Sequence, residues 1–271
     1  MKIFQNRAEK ILMKIAKLIL KPAYDLYEKW LWIQIRNGPF PRHIGIIPDG
    51  NRRWARKMGL DPTEGHVHGY EKFKEVLKWI WELNIKYTTI FAMSTENCLY
   101  RDENERNNLF NLARKGFKEL ANMREIHDHK VRVNVIGRLD LLPADILEQA
   151  KKLEEITKNY NNFYLNIALC YGGRQEIIDA IKSIINDIIN GNLSIDELNE
   201  NTFSKYLYTE NMPDPDLIIR TSGEERISNF LLWQLAYSEL YFCDIYWPDF
   251  RKIDFWRALR SYQSRERRFG R

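Results

Sequence analysis

The sequence predicts an α/β fold with a central, mostly parallel sheet of six strands that is covered by helices. Two observations lead to this prediction. Short, nearly continuous apolar runs alternate along the chain with longer segments of helical periodicity, as in a parallel sheet wrapped by helices. The runs lack apolar–polar alternation, which is expected where both faces of a sheet are buried. A chain of 271 residues, 44% of them apolar, can bury the core of one such domain.

Residues 1–40 are predicted as an amphipathic helical extension that precedes this domain. Residues 1–21 hold six lysines and arginines against Glu9 alone, so they carry the whole net charge of +5. Isoleucines and leucines recur between the charges at three- and four-residue steps, the spacing of one helix face. The apolar runs are too short to span a bilayer, and lysines interrupt any signal-peptide core. Packing against a protein surface and contact with a membrane surface are both open.

The main part of the chain, residues 41–271, begins after the breaker Asn37–Pro41 and is predicted as a single domain. Its strands are expected at His43–Ile47, Thr88–Met93, Val131–Ile136, Phe163–Leu169, Leu217–Arg220 and Leu240–Tyr246. Its helices are expected at Tyr70–Leu83, Glu103–Met123, Ala144–Thr157, Arg174–Ile189 and Asn229–Ser238. Ligands of such sheets bind beyond the carboxyl ends of the strands.

Charge and cysteine content exclude some functions. Because residues 22–271 are neutral, the domain lacks the basic face of a nucleic-acid-binding protein, and no nucleic acid is expected as a partner. The three cysteines, Cys98, Cys170 and Cys243, are odd in number and far apart, so the sequence predicts neither a disulfide framework nor a CxxC zinc site. We therefore expect a protein of the reducing cytoplasm, with peripheral membrane residence left open.

Polar motifs follow three of the predicted strands. The segment Pro48–Trp54 combines a carboxylate, a glycine, an amide and two guanidinium groups, Ser94–Asn97 follows the second strand, and Arg220 ends the fifth. Turn amides and guanidinium groups suit phosphate, and a neighbouring carboxylate suits a divalent cation. An Asp-Gly turn and a helix cap explain the first two motifs equally well when each is taken alone. Together, the three strand ends predict a phosphate site.

Other common catalytic signatures are missing from the sequence. It contains no Walker A motif, no GxGxxG, no HExxH and no GxSxG. Nucleotide hydrolysis, dinucleotide redox chemistry, zinc proteolysis and serine hydrolysis therefore lose their best signatures.

Several blocks of the sequence, in order from about Pro41 to the C-terminus, resemble the cis-prenyltransferases, the undecaprenyl and dehydrodolichyl diphosphate synthases. These blocks are Asp49–Ala55, Gly65-His66, Ser94–Asn97, Tyr171–Arg174, Pro215–Glu224, Arg226–Gln234 and Trp247–Phe250. The resemblance implies a homodimer that adds isopentenyl diphosphate repeatedly to an allylic diphosphate primer, making each new double bond cis. The product would be a long-chain polycis-polyprenyl diphosphate, the precursor of a glycosyl carrier lipid. Residues 41–271 would be the catalytic domain.

The resemblance also implies roles for individual residues. Asp49, Ser94 and Asn97 are the expected catalytic residues, and Asp49 and Glu239 are the expected ligands of Mg²⁺, with Glu239 near the dimer interface. Isopentenyl diphosphate would be held by Arg220, Arg226 and Ser228. The expected substrate-binding residues are Gly50, Asn51, Arg52, Arg53, Trp54, His66, Glu96, Arg220, Arg226, Ser228, Arg268 and Gly270. The last two belong to a terminal Arg-x-Gly that reaches a neighbouring active site in the family.

The implied chemistry suits these residue types. Departure of diphosphate from an allylic carbon develops negative charge, which magnesium and arginines stabilise. The proton of the condensing carbon can go to a diphosphate oxygen or to a side chain such as Asn97 or Ser94, and the sequence leaves this choice open. An apolar tunnel for the product has six candidate residues, which core packing explains equally well: Val76, Leu77, Ile80, Trp81, Phe110 and Phe117.

The chain departs from the family's pattern at three positions. Pro62 stands where many bacterial members carry an arginine, Glu225 replaces a residue that is often histidine, and a longer link leaves Arg101 without an assigned role. The basic N-terminal segment is similar to that of archaeal or eukaryotic members. This favours geranylgeranyl diphosphate as the primer and leaves farnesyl diphosphate open.

Two rival classes are weighed against an active synthase. One is a catalytically silent partner subunit of a heteromeric enzyme, and the other is a phosphate-binding or membrane-surface module without chemistry. A silent subunit is expected to lose the Asp49 turn, which this chain retains together with the terminal Arg-x-Gly. We therefore expect an active homodimer.

Overall fold

The computed structural model describes residues 21–265 of the chain. Six strands form one sheet in the order β3-β4-β2-β1-β5-β6, and every neighbouring pair is parallel. The strands are β1 (His43–Ile47), β2 (Tyr87–Phe91), β3 (Val131–Ile136), β4 (Phe163–Ala168), β5 (Leu217–Arg220) and β6 (Glu239–Phe242). The predicted α/β class and six-stranded sheet are confirmed, and the sheet is parallel throughout.

Helices form the connections between these strands. Residues 21–35 are helix α1. The others are α2 (Asn51–Met58), α3 (Pro62–Glu82), α4 (Thr95–Tyr100), α5 (Glu103–Asn122), α6 (Arg124–Asp128), α7 (Ala144–Thr157), α8 (Gly173–Ile189), α9 (Glu200–Ser204) and α10 (Lys252–Ser264). Short 3₁₀ turns lie at Leu139–Leu141, Ile195–Glu197 and Trp247–Asp249.

The strand order explains where the functional motifs meet. Strand β1 lies at the centre, is buried along its whole length and pairs with β2 on one side and β5 on the other. Ile47 at the end of β1 lies in register with Arg220 at the end of β5. The polar segments that follow β1, β2 and β5 therefore leave the sheet at the same edge, although they are far apart in sequence.

Helix α3 begins eight residues earlier than its predicted start at Tyr70. Asp61 and Glu64 form a reciprocal capping box at its N-terminus, and Pro62 occupies the first turn. A proline costs little there because its missing N–H would have no helical partner in any case. At Gly65 a Cβ atom would lie 2.2 Å from the backbone oxygen of Asn51, so glycine allows α2 and α3 to cross closely. This crossing brings His66 next to the Asp49 turn.

The helix predicted at Asn229–Ser238 is wrong, because these residues form a series of turns between β5 and β6. Asn229 and Leu231 have left-handed backbone conformations, with φ of 65° and 45°. The backbone oxygen of Asn229 accepts a hydrogen bond from the Gly173 amide (2.8 Å), and its side-chain oxygen accepts one from the Arg174 amide (2.9 Å). The segment thus caps the N-terminus of α8 instead of forming a helix.

Residues 21–39 and 251–265 form a compact unit of their own. Aromatic side chains of α1 stack with guanidinium groups of this unit, with Arg251 over Tyr24, Arg257 over Tyr27 and Arg260 over Trp30 at 5.1 to 5.8 Å. Residues 40–250 form the second unit, which contains the sheet. The predicted basic helix of residues 1–20 lies outside the described residues, and the predicted division at 40/41 stays a prediction. No helix within residues 21–265 is both long and apolar enough to cross a membrane.

The expectation of unpaired cysteines is also wrong, because Cys98 and Cys170 form a disulfide. Their separation of 72 residues argued against a local framework, but the parallel crossovers place the ends of β2 and β4 side by side. Cys98 in α4 follows β2, and Cys170 follows β4, so their Cα atoms lie 5.6 Å apart. The cysteine spacing therefore gives no support to a reducing compartment.

Candidate active site

A cleft of about 840 Å³ opens at the carboxyl ends of β1, β2 and β5. Its lining includes twelve of the residues predicted from the sequence: Asp49, Gly50, Asn51, Arg52, Arg53, His66, Ser94, Glu96, Asn97, Arg220, Arg226 and Ser228. Six arginines line the cleft against three carboxylates. The cleft therefore carries an excess of positive charge that suits a polyanionic ligand.

An ion pair between Asp49 and Arg220 lies at the base of the cleft. The Arg220 Nη2 atom donates to Asp49 Oδ2 at 2.8 Å, and the Gly50 amide donates to Asp49 Oδ1 at 2.6 Å. Burial alone would raise the pKa of Asp49, but the hydrogen bond and the charge of Arg220 outweigh it and lower the pKa below its usual value. Asp49 is therefore a carboxylate at neutral pH.

Gly50 is required for the shape of this turn. Its φ of 99° is left-handed, and a Cβ atom would lie within 3 Å of the side chains of Tyr246 and Ser222. The carboxylate of Asp49 is consequently presented by a turn that other residues would distort.

Arg220 is only 4% exposed, and its guanidinium group binds the loop that follows β5. Its Nη1 atom donates to the backbone oxygen of Arg226 and, at 2.7 Å, to Ser228 Oγ. Ser222 and Ser228 in this loop have left-handed backbones, with φ of 78° and 49°. The Arg220 Nε atom is buried without a hydrogen-bond partner among the described residues. One buried guanidinium group thus joins the Asp49 turn to the 222–229 loop.

A second carboxylate, Glu224, lies between two arginines at the rim. Arg53 Nη1 donates to Glu224 Oε1 at 2.8 Å, and Arg226 donates to the other oxygen. The hydrogen bond from Arg53 and the charge of Arg226 lower the pKa of Glu224. Arg53 also donates to Ser222 Oγ at 2.6 Å. The contacts hold Arg53 and Arg226 near each other although they belong to α2 and to the loop after β5.

A further carboxylate, Glu105 of α5, lies beside the cleft and contacts three basic groups. Its oxygens lie 3.3 Å from Arg101 Nη1, 3.4 Å from Arg52 Nη1 and 3.4 Å from His66 Nε2. Burial lowers the pKa of His66, and the charges of Arg101 and Arg52 add to this effect, whereas the hydrogen bond to Glu105 raises it. The net shift is downward, so His66 is a neutral imidazole at pH 7.

The segment Ser94–Asn97 forms the edge of the cleft between β2 and β4. Ser94 is the N-cap of α4, and its hydroxyl oxygen accepts a hydrogen bond from the Asn97 amide at 3.2 Å. The helix cap that the sequence suggested is therefore present, and its side chains still line the cleft. The Glu96 side chain accepts a bond from Asn229 at 3.4 Å, which links this edge to the loop after β5.

An apolar cavity of about 130 Å³ adjoins the cleft between α3, α5 and the sheet. The two share Pro48, Asn51, His66, Ala92, Met93 and Leu109 as lining residues. Of the six predicted tunnel residues, only Phe117 lines this cavity, whereas the other five are buried in the core. The helix periodicity identified the inward faces but could not distinguish a cavity wall from solid packing.

Several predicted positions do not join the cleft. Trp54 belongs to α2, and its ring packs against the His68 ring with the centroids 4.7 Å apart. It does not line the cleft. Glu239 lies in register with Leu217 at the amino end of β5, so within one chain it is at the opposite edge of the sheet from Asp49. Arg268 and Gly270 lie outside the described residues. Within residues 21–265, no three His, Cys, Asp or Glu side chains form a cluster that could hold a metal ion.

The sequence alone assigned no role to five residues of this site. They are Arg56, Arg101, Glu105, Glu224 and Asn229, of which all but Glu105 line the cleft and Glu105 contacts three basic side chains beside it. A helical spacing of four residues from Arg52 could have indicated Arg56. The role of Glu105 becomes visible only when α5 is placed against α2 and α3.

The fold and the cleft define an α/β protein whose arginine-rich cleft suits polyanionic ligands and adjoins an apolar cavity. Comparison with known proteins identifies the family. The family described as "Putative undecaprenyl diphosphate synthase" matches residues 47–270. A "Tritrans,polycis-undecaprenyl-diphosphate synthase (geranylgeranyl-diphosphate specific)" of Sulfurisphaera tokodaii is 54% identical over 257 residues, which cover 95% of this chain and 98% of that relative.

Two further comparisons agree. The enzyme of the same name from Pyrococcus furiosus is 52% identical over 262 residues, covering 97% of this chain and 99% of the relative. The crystal structure of lavandulyl diphosphate synthase from Lavandula x intermedia matches with a TM-score of 0.80 and 34% identity, covering 86% of this chain and 99% of that one.

The chain therefore belongs to the undecaprenyl diphosphate synthase family of cis-prenyltransferases, and it is an enzyme that transfers prenyl groups to and from isoprenyl diphosphates. Of the archaeal and eukaryotic members that the N-terminal segment resembles, these relatives confirm the archaeal type.

The contacts of His66 lead to a testable prediction. The substitution Glu105→Gln should lower the pKa of His66 further, because it removes the one neighbouring charge that favours the imidazolium form. The pKa can be measured from the imidazole nitrogen shifts in NMR, with His66→Gln used for assignment. Glu103→Gln, an exposed position on the same helix, should leave the pKa of His66 unchanged. A pKa that rises in Glu105→Gln would contradict the assigned contact.

Proposed function

We propose that this cis-prenyltransferase condenses isopentenyl diphosphate repeatedly with geranylgeranyl diphosphate to give a long-chain polycis-polyprenyl diphosphate, a carrier-lipid precursor. The observation that carries the proposal is the two-part site, in which an arginine-rich cleft opens onto an apolar cavity. A prenyl diphosphate has the same two parts, a polyanionic head and an apolar chain. Asn51 at the junction has a buried side-chain oxygen without a partner among the described residues.

The choice of primer and product rests on the relatives. Their names specify geranylgeranyl diphosphate and an undecaprenyl product, and their identity to this chain exceeds 50% over nearly its full length. We extend both to this protein. Farnesyl diphosphate is the competing primer. It has the same diphosphate head group as geranylgeranyl diphosphate, and its tail is shorter by one isoprene unit.

Magnesium fits the residues at the base of the cleft. Asp49 is a carboxylate with a lowered pKa, and Mg²⁺ is commonly held by one or two carboxylates together with phosphate oxygens. Asp49 would hold the ion, which when bound neutralises charge on the departing diphosphate. The Arg220 guanidinium beside it would shift from the carboxylate towards phosphate oxygens.

The arginines divide between the two diphosphates. His66 on α3 lines both the cleft and the apolar cavity, and Arg52 and Arg53 on α2 line the cleft, so we assign all three to the allylic primer. Arg220 and Arg226, with Ser228, converge on the other side of Asp49, and we assign them to isopentenyl diphosphate. Each guanidinium group already contacts a carboxylate, so it is oriented before a ligand binds. The developing charge of the leaving group is thereby met by fixed donors.

The proton released from the condensing carbon has three possible acceptors. A diphosphate oxygen is one, and the side chains of Asn97 and Ser94 at the cleft edge are the others. The Ser94 oxygen is occupied by the Asn97 amide, which leaves its hydroxyl proton free to point into the cleft. We assign Ser94 and Asn97 to orienting the reacting ends and receiving or relaying this proton.

A homodimer is part of the proposal. Four isoleucines of α8, Ile178, Ile181, Ile185 and Ile189, are 40 to 76% exposed and follow one another at helical spacing on one face. Such an apolar stripe is typical of a surface covered by another subunit. A second copy would also bring a Glu239 carboxylate towards a cleft that the Glu239 of the same chain does not reach.

Contact with a membrane surface is proposed for α1. Leu26 and Ile33 are 71% and 58% exposed, and Trp30 is 47% exposed beside Arg260. Tryptophan, aliphatic residues and arginine together are typical of helices that lie at a lipid interface. A polyprenyl product would leave the enzyme at such a surface.

The silent-subunit alternative predicts a degraded site, which the contacts of Asp49 do not favour. In the described residues, the Asp49 turn, its Arg220 partner and the Ser94–Asn97 segment all line one cleft. We therefore expect the chain to be active without a different subunit.

The proposal is tested by incubating the protein with Mg²⁺, labelled isopentenyl diphosphate and either primer, and by resolving the extracted lipids by length. We expect a ladder of long products, with a higher kcat/KM for geranylgeranyl than for farnesyl diphosphate. Arg226→Ala should raise the KM for isopentenyl diphosphate by about 10-fold or more, the loss of one charge-assisted contact. Arg174→Ala, an exposed arginine outside the cleft, is the control. Absence of product with either primer would contradict the proposal.

The dimer and the role of Glu239 are tested by trans-complementation. Asp49→Asn and Glu239→Gln homodimers should both be inactive. A mixed dimer contains one chain of each variant. The cleft of the Glu239→Gln chain has its own Asp49 and receives an intact Glu239 from the other chain, so one of the two clefts is complete. About half of the wild-type activity per dimer should therefore return. If Glu239 acts within its own chain, or in a monomer, the mixed preparation stays inactive, and the assignment across the interface is wrong.

A further inference from the structure

We propose that the Cys98–Cys170 disulfide is a positioning element of the active site, which fixes Ser94, Glu96 and Asn97 at the edge of the cleft. The inference rests on the proposed function, because Ser94 and Asn97 are assigned to the reacting ends of the substrates and Glu96 to substrate binding. The disulfide is outside the cleft lining and takes no part in the chemistry itself.

Helix α4 has few other means of staying in place. It has six residues, Thr95–Tyr100, and Cys98 is its one buried side chain. Leu99 and Tyr100 point outwards with exposures of 44% and 81%. A helix of this length is not stable by itself, because nucleation costs more than one turn of hydrogen bonds returns. The disulfide therefore takes the place of the apolar packing that holds longer helices.

The anchor at the other end is rigid. Cys170 is fully buried two residues after the end of β4, and its backbone oxygen accepts bonds from the Thr95 hydroxyl (2.9 Å) and the Arg138 amide (3.1 Å). Thr95 and Tyr171 are also joined by a backbone bond of 2.9 Å. These hydrogen bonds hold Thr95 at the start of α4, and the disulfide holds Cys98 at the end of its first turn. Asn97 is the residue immediately before this covalent link.

Formation of the Cys98–Cys170 bond is an oxidation, and it needs an oxidant that is itself a disulfide. In two successive thiol–disulfide exchanges, the Cys98 and Cys170 thiols lose two protons and two electrons, and the oxidant leaves as a dithiol or as two thiols. Glutathione disulfide is one oxidant of this class. Once formed, the bond is protected, because Cys98 is 6% exposed and Cys170 is 0% exposed.

The first measurement is a thiol count on the denatured protein. We expect one reactive thiol per chain, that of Cys243, before reduction and three after it. Three thiols before reduction would overturn the proposal.

The second measurement compares oxidised wild type with Cys98→Ser, with Cys243→Ser as the matched control. We expect kcat to fall by about 10- to 100-fold in Cys98→Ser, as for reacting groups displaced by about 1 Å, while the KM for each diphosphate changes by less than about threefold. The diphosphates keep their KM because the arginines assigned to them, Arg52, Arg53, Arg220 and Arg226, lie outside α4. Wild type that is reduced in denaturant and refolded under reducing conditions should behave as Cys98→Ser does, and reoxidation should restore its kcat. An unchanged kcat, or a KM that rises in parallel with the loss of kcat, would overturn the positioning role.

Hydrogen exchange separates this proposal from the proposed function. In Cys98→Ser, faster amide exchange should be confined to a peptide covering residues 94–100, with the sheet unchanged. If the wild type makes no product with any primer, the proposed function fails, and the exchange data still decide whether the disulfide holds α4. Unchanged exchange in that peptide would overturn the proposal in either case.

Discussion

The ion pair between Asp49 and Arg220 is the contact on which the rest of the site depends. It joins the ends of two neighbouring strands, β1 and β5, whose last residues are in register. A guanidinium group that is 4% exposed must be paired, and Asp49 satisfies it while the same guanidinium holds the backbone of the 222–229 loop. One buried cation therefore sets the position of the carboxylate proposed to bind Mg²⁺ and of the loop assigned to isopentenyl diphosphate.

Other arginines of the cleft are also paired with carboxylates. Glu224 and Glu105 each hold basic groups that belong to different elements, so the cleft keeps its guanidinium groups oriented in the absence of a polyanion. Under the proposed function, a diphosphate would replace these carboxylates as the partner of the arginines instead of meeting unpaired charges. The net excess of arginine would favour this exchange, and the apolar cavity beside the cleft would favour prenyl diphosphates over other phosphorylated ligands.

Much of this could be predicted from the sequence. Continuous apolar runs predicted the parallel sheet, because both faces of such a sheet are buried. The carboxyl ends of parallel strands share one edge, and this rule predicted that Asp49, Ser94 and Arg220 lie close together. What failed depended on contacts distant in sequence. The turns at Asn229–Ser238 follow from capping of α8, the Cys98–Cys170 bond follows from the pairing of β2 with β4, and Glu105 acquires its partners only when α5 packs beside α2. Periodicity also could not separate cavity walls from core packing on α3 and α5.

Calorimetric titration of inorganic diphosphate into wild type and Asp49→Asn, with and without Mg²⁺, tests the central role of the Asp49–Arg220 pair most directly. Wild type should bind diphosphate at least about 10-fold more tightly with Mg²⁺, the gain expected of one added charge-assisted contact. Asp49→Asn should lose this gain, yet bind metal-free diphosphate at least as tightly as wild type, because Arg220 is no longer neutralised by a carboxylate. If Asp49→Asn retains the magnesium effect, or loses metal-free binding, then Asp49 is not the residue that links the cation to the arginine-rich cleft.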